Sequence, residues 1–79
     1  MDQRIFEQGL SVEATSLYLL LSALADQGVP LVLERVEPIW NADPQALGPS
    51  FAELAERGIA QQDAAGAWHL NPASQWKPA

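Results

Sequence analysis

The chain has 79 residues, room for one domain, and a chain this size buries only about 60% of the surface it exposes when unfolded. Hydrophobic residues make up 48% and charged residues 18%, enough apolar content for a core and too little charge for a disordered acidic tail. Ten Asp and Glu stand against four Lys and Arg, for a formal charge of −6, and there is no cysteine and one histidine. Disulfides, thiolate chemistry and His-rich metal sites are therefore excluded. No apolar run approaches the roughly 20 residues of a bilayer span, and Met1-Asp2-Gln3-Arg4 lacks the basic-then-apolar start of a signal peptide. The expectation is one soluble cytoplasmic domain over 1–79, with an N-terminal segment at 1–10 and a tail at 72–79.

The first helical signal begins at Ser11, an N-cap residue type, with Glu13 in the first turn where a carboxylate suits the helix dipole. Leu17, Leu20, Leu21 and Leu24 recur at offsets of three, four and seven, and Tyr18 and Leu19 widen the apolar face. Gly28 is the stop, so a helix is predicted over about 12–27, its leucine stripe in the core. Leu31-Val32-Leu33 reads as either a brief strand or the lead-in to a second helix. Leu33, Val36, Ile39 and Trp40 have helical spacing, yet Pro38 lies among them, so this helix is short or kinked, with Pro38 near its first turn.

Asp43-Pro44 is a strong helix start, pairing an N-cap residue with the imino acid favoured at the first helical position. Leu47, Phe51, Leu54 and Ala55 form one apolar face, and Arg57-Gly58 closes the helix. Gly48-Pro49 either bends this helix or marks where its regular part begins. From Ile59 to Leu70, two short runs flank the turn residues Asp63 to Gly66, the pattern of a β-hairpin with Trp68 and Leu70 on one face and His69 on the other. Pro72 ends it.

The order helix, short apolar run, short helix, helix, hairpin resembles the winged helix-turn-helix superfamily over residues 11–71. The phrase Phe51 to Ile59, with Leu54 three residues after Phe51 and Gly58 four further on, is similar to the end of the third helix in those domains, and Ile59 to Leu70 matches the wing. The resemblance implies a mainly α fold with a small β-hairpin on a winged-helix-like three-helix core. In DNA-binding members the third helix enters the major groove. The matching positions here are Gln45, Ala46, Gly48, Pro49 and Ser50, and the possible DNA contacts are Gln45 and Ser50.

Cations are scarce along this surface. Only Arg4, Arg35, Arg57 and Lys77 are available, no basic patch is legible, and Asp43, Glu53, Glu56 and Asp63 occupy the helix and wing that meet phosphate in such domains. The acidity serves solubility, recruitment of a basic partner, or mimicry of nucleic acid. His69 reads as a surface strand residue with no nucleophile beside it. Glu34 with Glu37, and Glu53 with Glu56, share helix faces at a spacing of three and read as solvated, paired with Arg35 or Arg57. Trp40 and Trp68 read as core. Trp76 either folds back over the core or stays exposed, and Ile5-Phe6 poses the same choice. The expected function is a protein–protein interaction module, or a self-associating one, with Phe6, Gln45 and Trp76 as candidate contacts. The alternative is a dimeric DNA-binding regulator. No enzyme, cofactor, metal, small-molecule substrate or membrane partner is read.

Overall fold

The computed structural model describes residues 1–78. The two long helices end in the same way, and that shared ending sets the path of the chain beyond each of them. Helix α1 spans Val12–Asp26, and Ser11 caps it by accepting the amide of Ala14. At its far end Gly28 adopts φ +74°, which lets Val29 N–H reach the Leu24 carbonyl at 2.9 Å and Gly28 N–H reach Ala25 at 3.0 Å. After α2, a single turn over Leu33–Val36, comes helix α3 over Leu47–Glu56. Helix α3 repeats the ending of α1, with Gly58 at φ +68°, Ile59 N–H on Leu54 and Gly58 N–H on Ala55. A left-handed glycine satisfies carbonyls that the helix leaves open and reverses the chain.

The predicted second helix is thus cut to four residues. Pro38 falls just after it, in the first turn of a 3-10 segment over Glu37–Ile39. A proline in an α-helix interior lacks the amide that the ladder needs, and the chain tightens and leaves the helix at Trp40. Leu31-Val32-Leu33 forms no strand. Leu31 is buried, and its carbonyl takes one hydrogen bond from Trp68 N–H at 2.8 Å.

The regular part of α3 begins at Leu47, ahead of Gly48-Pro49, so the pair does not split it. Asp43 caps a 3-10 turn over Pro44–Ala46 by accepting Gln45 N–H at 2.8 Å, and α3 continues from it without a break. Pro49 lies in the first turn of α3, where proline is tolerated. A residue before proline is normally kept out of the α region by its Cβ, and glycine has none. Gly48 therefore allows α3 to begin at Leu47.

Apolar faces of α1 and α3 meet to form the core. Leu17, Leu21, Tyr18 and Leu24 of α1 and Leu47, Phe51 and Leu54 of α3 are buried with Ile5, Val36 and Ile59. Leu20 is only partly covered, and Ala55, expected on this face, is exposed. Strands β1 (Ala60–Gln62) and β2 (Trp68–Leu70) pair antiparallel, with Ala60 opposite Leu70 and Gln62 opposite Trp68. Trp68 stacks on Phe51 at 4.5 Å between centroids, which seats the hairpin on α3. The fold is mostly helical with one antiparallel hairpin, as the sequence pattern predicts.

Both termini are tied down. The N-terminal segment forms a 3-10 turn over Gln3–Glu7 that buries Ile5, and the tail forms another over Ala73–Gln75. Arg57 holds both: its guanidinium donates to the Gln8 carbonyl at 2.7 Å and to the Lys77 carbonyl at 3.1 Å. Glu53 pairs with neither arginine. Its carboxylate accepts Ser11 N–H at 2.7 Å and Ser11 Oγ at 2.9 Å, bracing the start of α1 from the side of α3. Among the described residues Arg4 pairs with Asp2 at 2.8 Å, and His69 Nε2 hydrogen-bonds Asp63 Oδ2 at 2.7 Å.

The glycine corners differ in how much room they leave. A Cβ at Gly58 would stand 3.0 Å from the Gln75 carbonyl oxygen, whereas one at Gly28 meets nothing within 4 Å. Gly28→Ala should cost about 1 kcal/mol from the left-handed backbone alone, and Gly58→Ala about 2 kcal/mol or more. Thermal melts of the two variants should show the larger drop for Gly58→Ala. Ser22 is buried in α1, and its hydroxyl has no hydrogen-bond partner among the described residues. Ser22→Ala should therefore raise stability by about 1 kcal/mol, from relief of the unpaired hydroxyl and better helix propensity. A lowered melting temperature in that variant would contradict this.

Candidate functional site

Trp40 stands where α2 and α3 diverge. Pro38 and the 3-10 turn bring the chain out of α2, and Trp40 leaves in an extended conformation (φ −73°, ψ 122°). Its indole Nε1–H donates to the Asp43 carbonyl at 2.9 Å, just before the next turn. This bond fixes the ring as a half-buried wall, not a fully buried core residue. A groove of about 390 Å³ is lined by Leu33, Glu37, Trp40, Pro44, Leu47 and Gly48. A hollow of about 240 Å³, lined by residues that include Leu20, Ile39 and Trp40, shares the indole with it. A Cβ at Gly48 would meet no atom within 4 Å.

Two large apolar side chains edge this region in the open. Leu33 is 46% exposed and Ile39 is 41% exposed. Water gains nothing from either, and covering them releases apolar surface at roughly 25 cal/mol per Å². The carboxylates of Glu34, Glu37 and Asp43 are exposed along the same stretch, against one cation, Arg35.

A second polar feature is the tip of the hairpin. Asp63 Oδ1 accepts the amides of Ala65 at 2.9 Å and Ala67 at 3.0 Å, and Oδ2 meets His69 Nε2 at 2.7 Å. The bond to His69, then those from the backbone, holds the Asp63 carboxyl below the ordinary carboxylate value. Both side chains are exposed, and this cluster shapes the turn. A third feature is a polar cleft of about 570 Å³ between the N-terminal turn, α1 and the end of β2, where Tyr18 and Ser22 meet Asn71 and Ser74. Among the described residues no group of three His, Asp or Glu side chains is placed to hold a metal ion. No helix among them is long and apolar enough to cross a membrane.

The structure separates the residues singled out from sequence. Phe6 is 60% exposed, the outward neighbour of buried Ile5, and belongs to the N-terminal turn. Gln45 is exposed at the lead-in to α3, beside the groove but not lining it. Ser50 is only 3% exposed, and its hydroxyl donates to the Ala46 carbonyl at 2.7 Å. Its placement as a DNA contact is corrected, because the turn of α3 carrying Leu47 and Phe51 inward carries Ser50 with them. Of the two readings for Trp76, the structure takes the one in which it covers the core, and the ring is partly buried. It folds back, packs edge-on against Tyr18 at 5.7 Å, and donates its indole N–H to the Asn71 carbonyl at 3.0 Å.

Leu33 and Trp40 carry the groove, although helical spacing alone assigns both to a second helix. The sequence signal for the groove is Pro38 followed by Asp43-Pro44, two chain breaks that bracket Trp40 and keep the second helix to the single turn Leu33–Val36. No family model, curated protein or solved structure matches the chain.

The hairpin tip yields a pH outcome. Because folding depresses the Asp63 value, its stabilising contribution is present above the unfolded carboxyl value of about 3.9 and is lost as the pH falls through the lower folded value. Carbon-detected NMR titration should find Asp63 ionising below the ordinary range. His69→Ala should move that titration upward but only part of the way, since the amides of Ala65 and Ala67 remain. An unchanged titration in His69→Ala would show that the contact does not form in solution.

Proposed function

We propose that this chain is a winged-helix-like protein–protein interaction module whose working surface is the groove beside Trp40. The support for the winged-helix reading is the order of elements together with the Trp68–Leu31 hydrogen bond, which brings the segment between α1 and α2 against the hairpin. The observation that carries the interaction reading is Leu33 and Ile39 standing exposed, each beside a hollow lined by Trp40, whose indole is tied to the Asp43 carbonyl. Large apolar side chains edging a preformed groove are what a partner covers. A tryptophan held in one rotamer loses little further entropy on binding.

The electrostatics support the same reading over one on nucleic acid. Two of the four cations are engaged within the chain, Arg4 with Asp2 and Arg57 with Gln8 and Lys77. The lead-in to α3 offers Asp43 and Gln45, not lysine or arginine. Phosphate contacts supply most non-specific affinity for a duplex.

The test compares wild type with Leu33→Asp and Ile39→Asp as baits in lysate of the source cell, with Leu33→Met as the conservative control. The captured protein is then purified and titrated directly. All three substitutions replace exposed side chains, so melting temperatures should stay within a few degrees of wild type. Direct affinity should fall about tenfold or more in both aspartate variants and hold in Leu33→Met, because one buried leucine is worth about 1.5–3 kcal/mol. Binding unaffected by either aspartate would move the working surface elsewhere. Salt-sensitive binding of wild type to random duplex DNA at low salt would replace the reading with DNA recognition.

A further inference from the structure

The groove has a chemical signature beyond being apolar. Leu33, Leu47, Pro44 and the ring of Trp40 line it, and a carboxylate, Glu37, is among its lining residues. Glu34 precedes it on α2, and Asp43 lies on the stretch of chain that holds the indole. Leu33 and Glu37 are four residues apart, so they lie one turn above each other along the same edge. The 390 Å³ groove and the 240 Å³ hollow share Trp40 as their common wall. An occupant that fills both must present two apolar anchors and must tolerate or neutralise Glu37 in the groove, with Glu34 and Asp43 exposed on the same stretch of chain.

From this juxtaposition we infer that the partner presents a basic amphipathic helix, with two apolar anchors beside Trp40 and lysines or arginines facing Glu34, Glu37 and Asp43. The inference rests on reading the groove as a protein-binding surface and adds the chemistry of what enters it. A helix presents anchors at spacings of three and four along one face, so a single helix can offer an apolar group to each of the two hollows that share Trp40. The flanking positions of the same helix carry the cations. An acidic segment is disfavoured on this surface, because like charges brought together at a closing interface repel. The chain's net charge of −6 adds to that selection at longer range and hastens the approach of a cationic segment. Arg35, the one cation of this stretch, is outnumbered by three carboxylates.

The probe is a synthetic peptide of about 18 residues whose leucines recur at three and four and whose other positions are lysine, long enough to form a helical face when bound. Its counterpart replaces every lysine with glutamate. Each is titrated into the full chain, isotopically labelled, and followed by amide and indole NMR shifts. The Leu/Lys peptide should shift the indole N–H of Trp40 and the amides of Leu33, Leu47 and Gly48, and should weaken as salt rises. The Leu/Glu peptide should produce no such shifts. The double substitution Glu34→Lys with Glu37→Lys should weaken the Leu/Lys peptide about tenfold or more and admit the Leu/Glu peptide.

Equal binding of the two peptides, no binding of the Leu/Lys peptide, or shifts confined to the hairpin or to the cleft by Ser22 would each overturn the inference. Failure of the basic helix is distinguishable from failure of the groove. If the peptides fail while Leu33→Asp still releases the captured partner, the groove binds protein but not a basic helix. If Leu33→Asp leaves capture intact as well, the groove is not the working surface.

Discussion

The corner at Gly58 is the constraint from which the C-terminal third of the chain hangs. Its left-handed backbone turns three successive carbonyls away from α3, and each finds a separate partner. Arg57 O takes Lys77 N–H at 2.6 Å, Gly58 O takes the Asn71 side-chain amide at 2.9 Å, and Ile59 O takes Asn71 N–H at 2.9 Å. Buried backbone carbonyls left without partners are costly, so the hairpin end and the tail have one arrangement that satisfies all three. The same corner brings the Arg57 guanidinium between Gln8 and Lys77, and so ties the first segment of the chain to the last. A domain of this size has little core to spare. Closing both ends over α1 is how Ile5 and the ring of Trp76 are added to it.

The two ends of α3 are used differently. Its ten residues span about 15 Å, so the Gly58 corner and the groove are well separated. At the C-terminal end the carbonyls of Arg57, Gly58 and Ile59 are all paired within the chain, and the hairpin covers Phe51. At the N-terminal end the helix begins in a 3-10 turn, Gly48 contributes no side chain, and Trp40, half-buried against the core, leaves a groove beside it. The rigid end permits the open one. The groove can keep exposed leucine and isoleucine because the stability of the domain is provided elsewhere, by the α1–α3 seam and the glycine corner.

Much of this fold was legible in the sequence because its punctuation is local. Ser11, Gly28, Asp43-Pro44 and Gly58 act within one turn of where they stand, and all four do what their residue types dictate. The alternation of Trp68, His69 and Leu70 sets the hairpin faces for the same reason. Hidden from the sequence are contacts between residues far apart in the chain. Glu53 reads as one of a solvated pair until α3 lies beside Ser11, 42 residues away. Arg57 reads as a helix-dipole cation until both termini arrive at it. Trp76 has no periodic neighbours to reveal that Tyr18 will receive it. Ser50, by contrast, falls three residues after Leu47 and four before Leu54, so the helical period itself places it on the buried face.

Trp40 shows how a local conflict can generate a surface. Leu33, Val36, Ile39 and Trp40 have the period of a buried helical face, but Pro38 ends the helix after Val36, the one of the four that is fully buried. Leu33 and Ile39 stay exposed, and the half-buried indole packs against the edge of the core while donating its N–H to the Asp43 carbonyl. Apolar exposure here is thus written into the chain by one residue that breaks the helix and one that restarts it. The carboxylates sit on this same interrupted stretch, Glu34 and Glu37 before the break and Asp43 at the restart. Apolar exposure and negative charge therefore arise from a single piece of local geometry, and a partner suited to one must answer the other.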